Sequence, residues 1–298
     1  LAYNGSGPAA SRLGMDKAAT GDCIRALADD RLITAPKVRL TAAALQGQDP
    51  HALWANLCQT LGTQTILIKP QSDGCSAGIV HLADAAELKT YLDLVNQGAA
   101  VAPAGTFRHQ PALLEMGLSP DAGFLAEAFI TTDRIRVHGT TLEHTPTTGW
   151  LELTVGVLEQ AGQYQALPPS ITVAAGAVLS LEEKFQGGTG VNITPPPASL
   201  MTAAQTATLQ RAVEHAAQAL GLQNYARLDV FFNTRTNQTI LIEANTPPGL
   251  TPSTVIYHQA LAQDPPLFPT PFLSLLMQLK QGRGALPGST PTARKASA

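Results

Sequence analysis

Leu241-Ile-Glu-Ala-Asn-Thr-Pro-Pro-Gly-Leu-Thr251 decides how this chain is read. Glu243 and Asn245 stand at i and i+2, so they leave the same face of a predicted strand. Upstream, Ala226-Arg-Leu-Asp-Val-Phe-Phe-Asn233 alternates apolar and polar residues. It reads as the antiparallel neighbour and carries Arg227 and Asp229 on one face. Asp229, Glu243 and Asn245 then converge beside an arginine. Mg²⁺ uses one or two carboxylates and completes its octahedron with waters and substrate phosphates, so this set points to nucleotide chemistry more than to a structural cation. The simpler reading of the same residues is a hairpin with charges on its wet face.

A second segment adds to the first. Ile66-Leu-Ile68 runs into Lys69-Pro70, the small-residue loop Gln71-Ser-Asp-Gly-Cys-Ser-Ala-Gly78, and a strand at Ile79-Val-His-Leu82. Gly74, Cys75, Ser76 and Gly78 let backbone N–H groups come close to phosphate oxygens, with Lys69 as a nearby point charge. No Gly-Lys-Ser/Thr follows and no helix is expected there, so this is not a Walker loop. Of seven lysines (17, 37, 69, 89, 184, 280 and 295), numbers 17, 69 and 184 fall in stretches with further motif character.

Composition sets limits. A chain of 298 residues can build one large or two smaller cores. Net charge −3 with 14% charged residues leaves no basic footprint for nucleic acid. Cys23, Cys58 and Cys75 form no disulfide frame or zinc motif, which fits a reducing cytosol and a cytoplasmic protein. No apolar run reaches the ~18–20 residues of a membrane span, and no signal peptide is evident. Helices are expected over 16–30, after Asp49-Pro50, from Asp84 to near Gly98, and over 201–220. Residues 99–122 read as a long loop or insertion, 123–130 as a hinge strand, and 281–298 as a disordered tail.

The order of motifs resembles the ATP-grasp ligases of the D-alanine–D-alanine ligase type. It is carried by Tyr3-Asn-Gly-Ser-Gly7, Met15-Asp-Lys17, Ile68-Lys-Pro70 with Gly74-Cys-Ser-Ala-Gly78, Glu182-Glu-Lys-Phe185, Arg227-Leu-Asp229, and Glu243-Ala-Asn245 with Pro248-Gly-Leu-Thr251. The resemblance implies an α+β ATP-grasp fold in which two subdomains with antiparallel sheets clasp a nucleotide. The expected division is 1–126, 127–280 and the tail.

The family's roles, carried onto these positions, put Lys17 and Lys69 on the α- and β-phosphates with loop 74–78 folded over them. Glu127 is placed at the adenine edge and Glu152, before an alternating strand, at the ribose, with about 131–149 as an insertion. Lys184 attends the moving phosphoryl group, and Arg227 faces the oxyanion of a tetrahedral intermediate. Asp229, Glu243 and Asn245 hold Mg²⁺, or Mn²⁺ in its stead. Gly249, Ser253 and Thr254 surround the second substrate's carboxylate, although Thr254 reads equally as a helix N-cap. The implied cofactors are ATP and Mg²⁺, and the implied partners are small amino-acid or hydroxy-acid substrates. A homodimer, or a separate N-terminal domain or chain, is a further expectation.

Three departures bear on substrate. The loop has Cys75 where relatives commonly have serine, and the mobile segment has Phe185 where they have tyrosine, so a hydroxyl pair that orients the first substrate's site is missing. Phe185 also resembles members that make an ester, which leaves a depsipeptide ligase open beside the dipeptide ligase. The family's preceding α/β domain would end about where this chain begins, which leaves a non-catalytic nucleotide-binding scaffold as the reading of another class.

Overall fold

The computed structural model describes residues 3–41, 47–72, 77–116, 123–138, 141–173, 191–281 and 286. Gly74, Cys75, Ser76, Lys184, Phe185, the 187–190 glycine segment and most of 282–298 lie outside the described residues.

Local chemistry starts the early helices where the sequence places them. Helix α1 (Pro8–Met15) begins with proline in its first turn, and Asp16 ends it and caps α2 (Lys17–Arg25), accepting from the N–H groups of Ala18 and Ala19. Two short strands follow, β1 (Leu32–Ile33) and β2 (Lys37–Leu40). Asp49 caps α3 (Pro50–Leu61), which closes on Gly62 in the left-handed conformation. Strands β3 (Ile66–Pro70) and β4 (Val80–Leu82) flank the small-residue loop, and Asp84 caps α4 (Ala85–Asn96).

The region expected as a loop at 99–122 contains the pair β5 (Val101–Ala102) and β6 (Leu114–Glu115). Strand β7 (Phe124–Ala128) follows. The expected insertion near 131–149 is the hairpin of β8 (Arg134–His138) and β9 (Thr141–Thr145). Next come β10 (Trp150–Gln160), β11 (Gln163–Ala166), β12 (Ile171–Val173) and β13 (Val191–Ile193). Helix α5 (Ala203–Ala219) opens on a Thr202/Gln205 capping box. Strands β14 (Tyr225–Asn233) and β15 (Thr239–Asn245) precede α6 (Val255–Leu261) and α7 (Pro269–Lys280).

Two sheets carry the architecture. The smaller has order β2-β7-β3-β4, antiparallel throughout, and buries Ile66, Ile68, Val80, Leu82, Phe124 and Ala126 against α3 and α4. The larger has order β1-β15-β14-β10-β11 and packs against α5 through Leu209, Val213 and Ala216, with Leu151, Leu153, Val155, Leu228 and Val230 beneath. Each sheet packs helices against one face; on the larger sheet α6 and α7 also cover one end of the opposite face, through Leu158, Tyr225, Ile256 and Phe272, and the rest of that face carries the polar residues described below.

Sheet membership does not follow a single cut at 126/127. Strand β1 pairs in parallel with β15, Leu32 opposite Thr239, and Ile24 and Leu32 lie in the larger sheet's core. Residues 3 to about 33 therefore pack with the C-terminal part of the chain. The segment expected as a hinge, β7, is instead flanked by β2 and β3 on its two edges. Leu286, in the tail expected to be disordered, is buried with Phe272, Leu276 and Leu279 of α7.

A bulge in β15 decides which face its polar residues take. Opposite β14 the register runs Val230↔Leu241 but Asp229↔Glu243, so Ile242 is the extra residue. Leu241 and Ala244 both point into the core. Strict alternation from Leu241 would bury Glu243 beside it; the bulge turns Glu243 and Asn245 outward.

The hairpin β8–β9 is tied down by one carboxylate. Asp133 Oδ1 accepts from the backbone N–H groups of Thr147, Thr148 and Gly149, each at 2.8 Å, while Oδ2 meets His144 Nε2 at 3.1 Å. Burial pushes this carboxyl upward, but the N–H donors and His144 together hold it below its ordinary 3.8. Its stabilisation is thus present above that value and is lost as pH falls through the lowered folded value. Asp133→Ala should cost on the order of 3 kcal/mol at pH 7, because buried N–H groups lose their acceptor. Urea denaturation should show this gap closing as pH falls below the ordinary carboxylate value of 3.8 and through the lower folded one; a gap independent of pH would refute the carboxylate's role.

Candidate active site

The open face of the larger sheet brings four of the expected residues together. Across β14 and β15, Arg227 is the register partner of Asn245 and Asp229 of Glu243, while Thr154 of β10 faces Asp229 from the other side. Thr154 Oγ1 donates to Asp229 Oδ1 at 2.9 Å. Asp229 Oδ2 receives Arg227 Nη2 at 3.3 Å and Asn245 Nδ2 at 3.1 Å, and the same amide lies 3.5 Å from Glu243 Oε1. The arginine expected to face an oxyanion is paired here with its own strand's carboxylate. Asn245 presents its amide nitrogen to two carboxylates, so its oxygen reaches a cation by a half-turn of the amide. Two carboxylates and an amide oxygen are hard donors of the kind Mg²⁺ accepts.

The open face of the smaller sheet holds a second cluster. One cross-strand row runs Lys37, Glu127, Leu67 and His81 through β2, β7, β3 and β4. Lys69 Nζ is 2.7 Å from Glu127 Oε2 and Lys37 Nζ 3.3 Å from Oε1, all three side chains being less than a tenth exposed. Lys69 and Glu127, expected as separate contacts to phosphate and adenine, are thus one ion pair. Burial pushes Glu127 up, but the adjacent ammoniums of Lys69 and Lys37 hold its carboxyl below the usual range. Burial drives Lys37 below the ordinary lysine value, with Glu127 opposing that shift. Beside this cluster the His81 ring stacks on Phe129 at 3.7 Å and on His109 at 4.5 Å. Burial first and His109 second push His81 down to about 4, so the His81 ring is uncharged at neutral pH.

Helix α2 joins the clusters. Lys17 Nζ lies 4.0 Å from Glu243 Oε2, and the Lys17 carbonyl accepts from Lys37 Nζ at 3.4 Å. The same helix start is fastened to the start of the small-residue loop after β3, since Asp16 accepts from Gln71 Nε2 and Lys17 N–H donates to Gln71 O. The site therefore draws on both sheets.

The remaining expected residues vary. Glu152 is on the open face of β10, register partner of Phe231. Gly78 has φ +65° and its N–H already donates to Glu115 O at 2.8 Å, so it anchors the loop and does not offer that donor to a phosphate. Thr254 stands at the N-cap of α6 without a side-chain capping bond; Gly249 and exposed Ser253 precede it in the same connection. Lys37, Thr154, Gln71 and the His81 stack were not anticipated. Lys37 carried a faint signal, as one of few lysines and directly after Pro36 at a strand start; the others had none without the pairing register.

The chain is similar to known proteins in both sequence and fold. A family model described as the D-Ala–D-Ala ligase C-terminus matches residues 142–265. The D-alanine–D-alanine ligase of Polaromonas naphthalenivorans is 28% identical over 262 residues, covering 88% of this chain and 65% of that protein. The chain has the ATP-grasp fold and is similar in sequence to D-alanine–D-alanine ligases. The ligase of Halalkalibacterium halodurans is 27% identical over 67% of this chain and 52% of its own length. The chain thus spans about half to two thirds of these relatives. Among solved structures, the VanG D-Ala:D-Ser ligase of Enterococcus faecalis superposes with TM-score 0.63 at 17% identity, covering 93% of this chain and 64% of its own. The Bacillus anthracis D-alanine–D-alanine ligase complexed with ATP gives 0.60 at 18% identity, over 94% and 70%. The ATP-grasp expectation is borne out, and no described helix is long and apolar enough to cross a membrane.

Thr154 supports a metal-compatible carboxylate without touching the other two donors. Thr154→Val should lower the affinity for Mn²⁺, read by its paramagnetic resonance signal in the presence of ADP, by roughly tenfold. The melting temperature should move by only a few degrees. Unchanged affinity would show that the hydroxyl does not orient Asp229.

Proposed function

We propose that this chain carries the nucleotide and catalytic groups of an ATP-dependent, ADP-forming ligase that joins a carboxylate to an amine, with D-alanine as both substrates. One observation carries the reading: Lys17 links the Asp229–Glu243–Asn245 cluster to the Lys37–Glu127–Lys69 cluster, so phosphate ligands and base ligands lie along one path. The likeness to D-alanine–D-alanine ligases supports the choice of substrate. The relatives' place in peptidoglycan synthesis, and with it a cytoplasmic setting, belongs to the same proposal.

The reaction follows from charge. A carboxylate oxygen of the first amino acid attacks the γ-phosphorus of ATP; the bond to the bridging oxygen breaks and ADP leaves. The second amino acid's amine then attacks the acyl carbon, loses a proton, and expels inorganic phosphate from a tetrahedral intermediate. Asp229, Glu243 and Asn245 would hold Mg²⁺, which when bound neutralises phosphate oxygens. Lys17 and Lys69 bind phosphate charge already present in the ground state. Arg227, released from Asp229 as that carboxylate turns to the cation, stabilises the oxyanion. Glu127 accepts from the exocyclic amine of adenine beside the neutral His81–Phe129 stack, and Glu152 takes the ribose. Lys184 acts as the phosphoryl group moves, and Gly249, Ser253 and Thr254 take the second carboxylate.

Phosphate release from Mg-ATP should require D-alanine and yield the dipeptide by mass spectrometry, with Asp229→Asn and Glu243→Gln each reducing it a hundredfold or more. A panel including L-amino acids, D-serine and D-lactate tests the substrate. ATP binding without phosphate release on any member would replace the ligase by a nucleotide-binding scaffold.

The lysines should separate by role. Lys17→Ala and Lys69→Ala should weaken ATP binding tenfold or more, whereas Lys184→Ala should leave it within about threefold and lower turnover. Equal loss of affinity in all three would overturn this division.

A further inference from the structure

We infer that Lys37 is a positioning residue for the nucleotide: it keeps the buried Glu127 carboxylate neutralised so that Lys69 is free to pass from Glu127 to a phosphate. The inference rests on the ligase reading only in placing a nucleotide beside Lys69.

Its basis is an imbalance of charge and of attachment. Lys37, Glu127 and Lys69 bury two ammoniums on one carboxylate, an excess of one positive charge with little access to water. One ammonium would suffice for Glu127, since Lys69 alone already sits at 2.7 Å. The two lysines are held differently. Lys37 is fixed on three sides: it pairs with Glu127 across β2 and β7, donates to the Lys17 carbonyl, and fills the space over Gly21 of α2. A Cβ at Gly21 would stand 2.7 Å from Lys37 Nζ, so the missing side chain is what admits the ammonium. Among the described residues, Lys69 has Glu127 as its charged partner within 4 Å and no other.

Lys69 is therefore the ammonium that can move. If it left with no second lysine present, Glu127 would be stranded in a buried position, which is the costly way to break a buried pair. With Lys37 in place the carboxylate stays compensated, and its Oε1, which among the described residues has Lys37 Nζ at 3.3 Å but no well-aligned hydrogen bond, keeps acceptor capacity for a base. The cluster's excess positive charge complements that of an arriving phosphate. Lys37 touches no reacting atom and works through Glu127.

The test is ADP binding by calorimetry, with Mg²⁺, on the full chain, beside steady-state kinetics. Lys37→Met should weaken ADP at least tenfold and raise KM for ATP with kcat within about twofold. Gly21→Ala keeps the lysine but displaces its ammonium, the flexible end of the side chain, from its present place beside Glu127, and suits a helix; it should weaken ADP binding by less than Lys37→Met does while the protein melts as cooperatively as wild type. Glu127→Gln removes the charge that needs Lys37, so Lys37→Met combined with it should bind ADP no more weakly than Glu127→Gln alone. Wild-type affinity in Lys37→Met or Gly21→Ala, or independent losses that multiply in the double variant, would overturn the role while leaving the proposed function intact. A wild-type protein that binds no ADP would overturn both.

Discussion

The pairing of β14 with β15 is the constraint on which the site depends. The register sets Asp229 opposite Glu243 and Arg227 opposite Asn245, and the extra residue Ile242 turns the two donors of β15 away from the core. Every later element of the site is arranged around that surface: Thr154 braces Asp229 from β10, and α2 brings Lys17 to Glu243. The buried side of the same strands, with Leu228, Val230, Leu241 and Ala244, holds the surface rigid. Packing on one face thereby fixes the geometry of charges on the other.

The site's charged groups lie against one another. Arg227 and Asn245 meet Asp229, Lys17 approaches Glu243, and Lys37 and Lys69 share Glu127. Apart from the neutral Asn245 amide, each of these groups would otherwise be a poorly solvated charge. On the proposed function, anionic phosphates and a divalent cation would exchange partners with groups already in place, and the protein need not create new charge to receive them. The neutral His81–Phe129 stack continues this surface with an apolar patch.

Much of this was legible in local chemistry. Asp49, Asp84 and Asp16 announced helix starts, and the alternation in 226–233 announced a strand, because caps and periodicity act over a few residues. Asp229, Glu243 and Asn245 were readable for the same reason. The unread parts all depend on distant partners. Leu32-Ile33 is too short to declare that it pairs with Thr239-Ile240 about two hundred positions on. Lys37 has meaning only opposite Glu127, and Asp133 gathers amides from a turn it precedes by a hairpin. Gly78 looked like a phosphate donor because sequence does not reveal that Glu115 already takes its N–H.

The placement of β1 in the larger sheet has a mechanical consequence. The chain leaves that sheet after Ile33, builds the smaller sheet from Lys37 to Ala128, and returns before Arg134. Two covalent tethers, not one, join the bodies. A body tied at a single point can swing and twist about several axes, whereas one tied at two points keeps chiefly the rotation about the line through them. Any relative motion of the sheets is thereby reduced toward a single degree of freedom, and their open faces meet along one reproducible path.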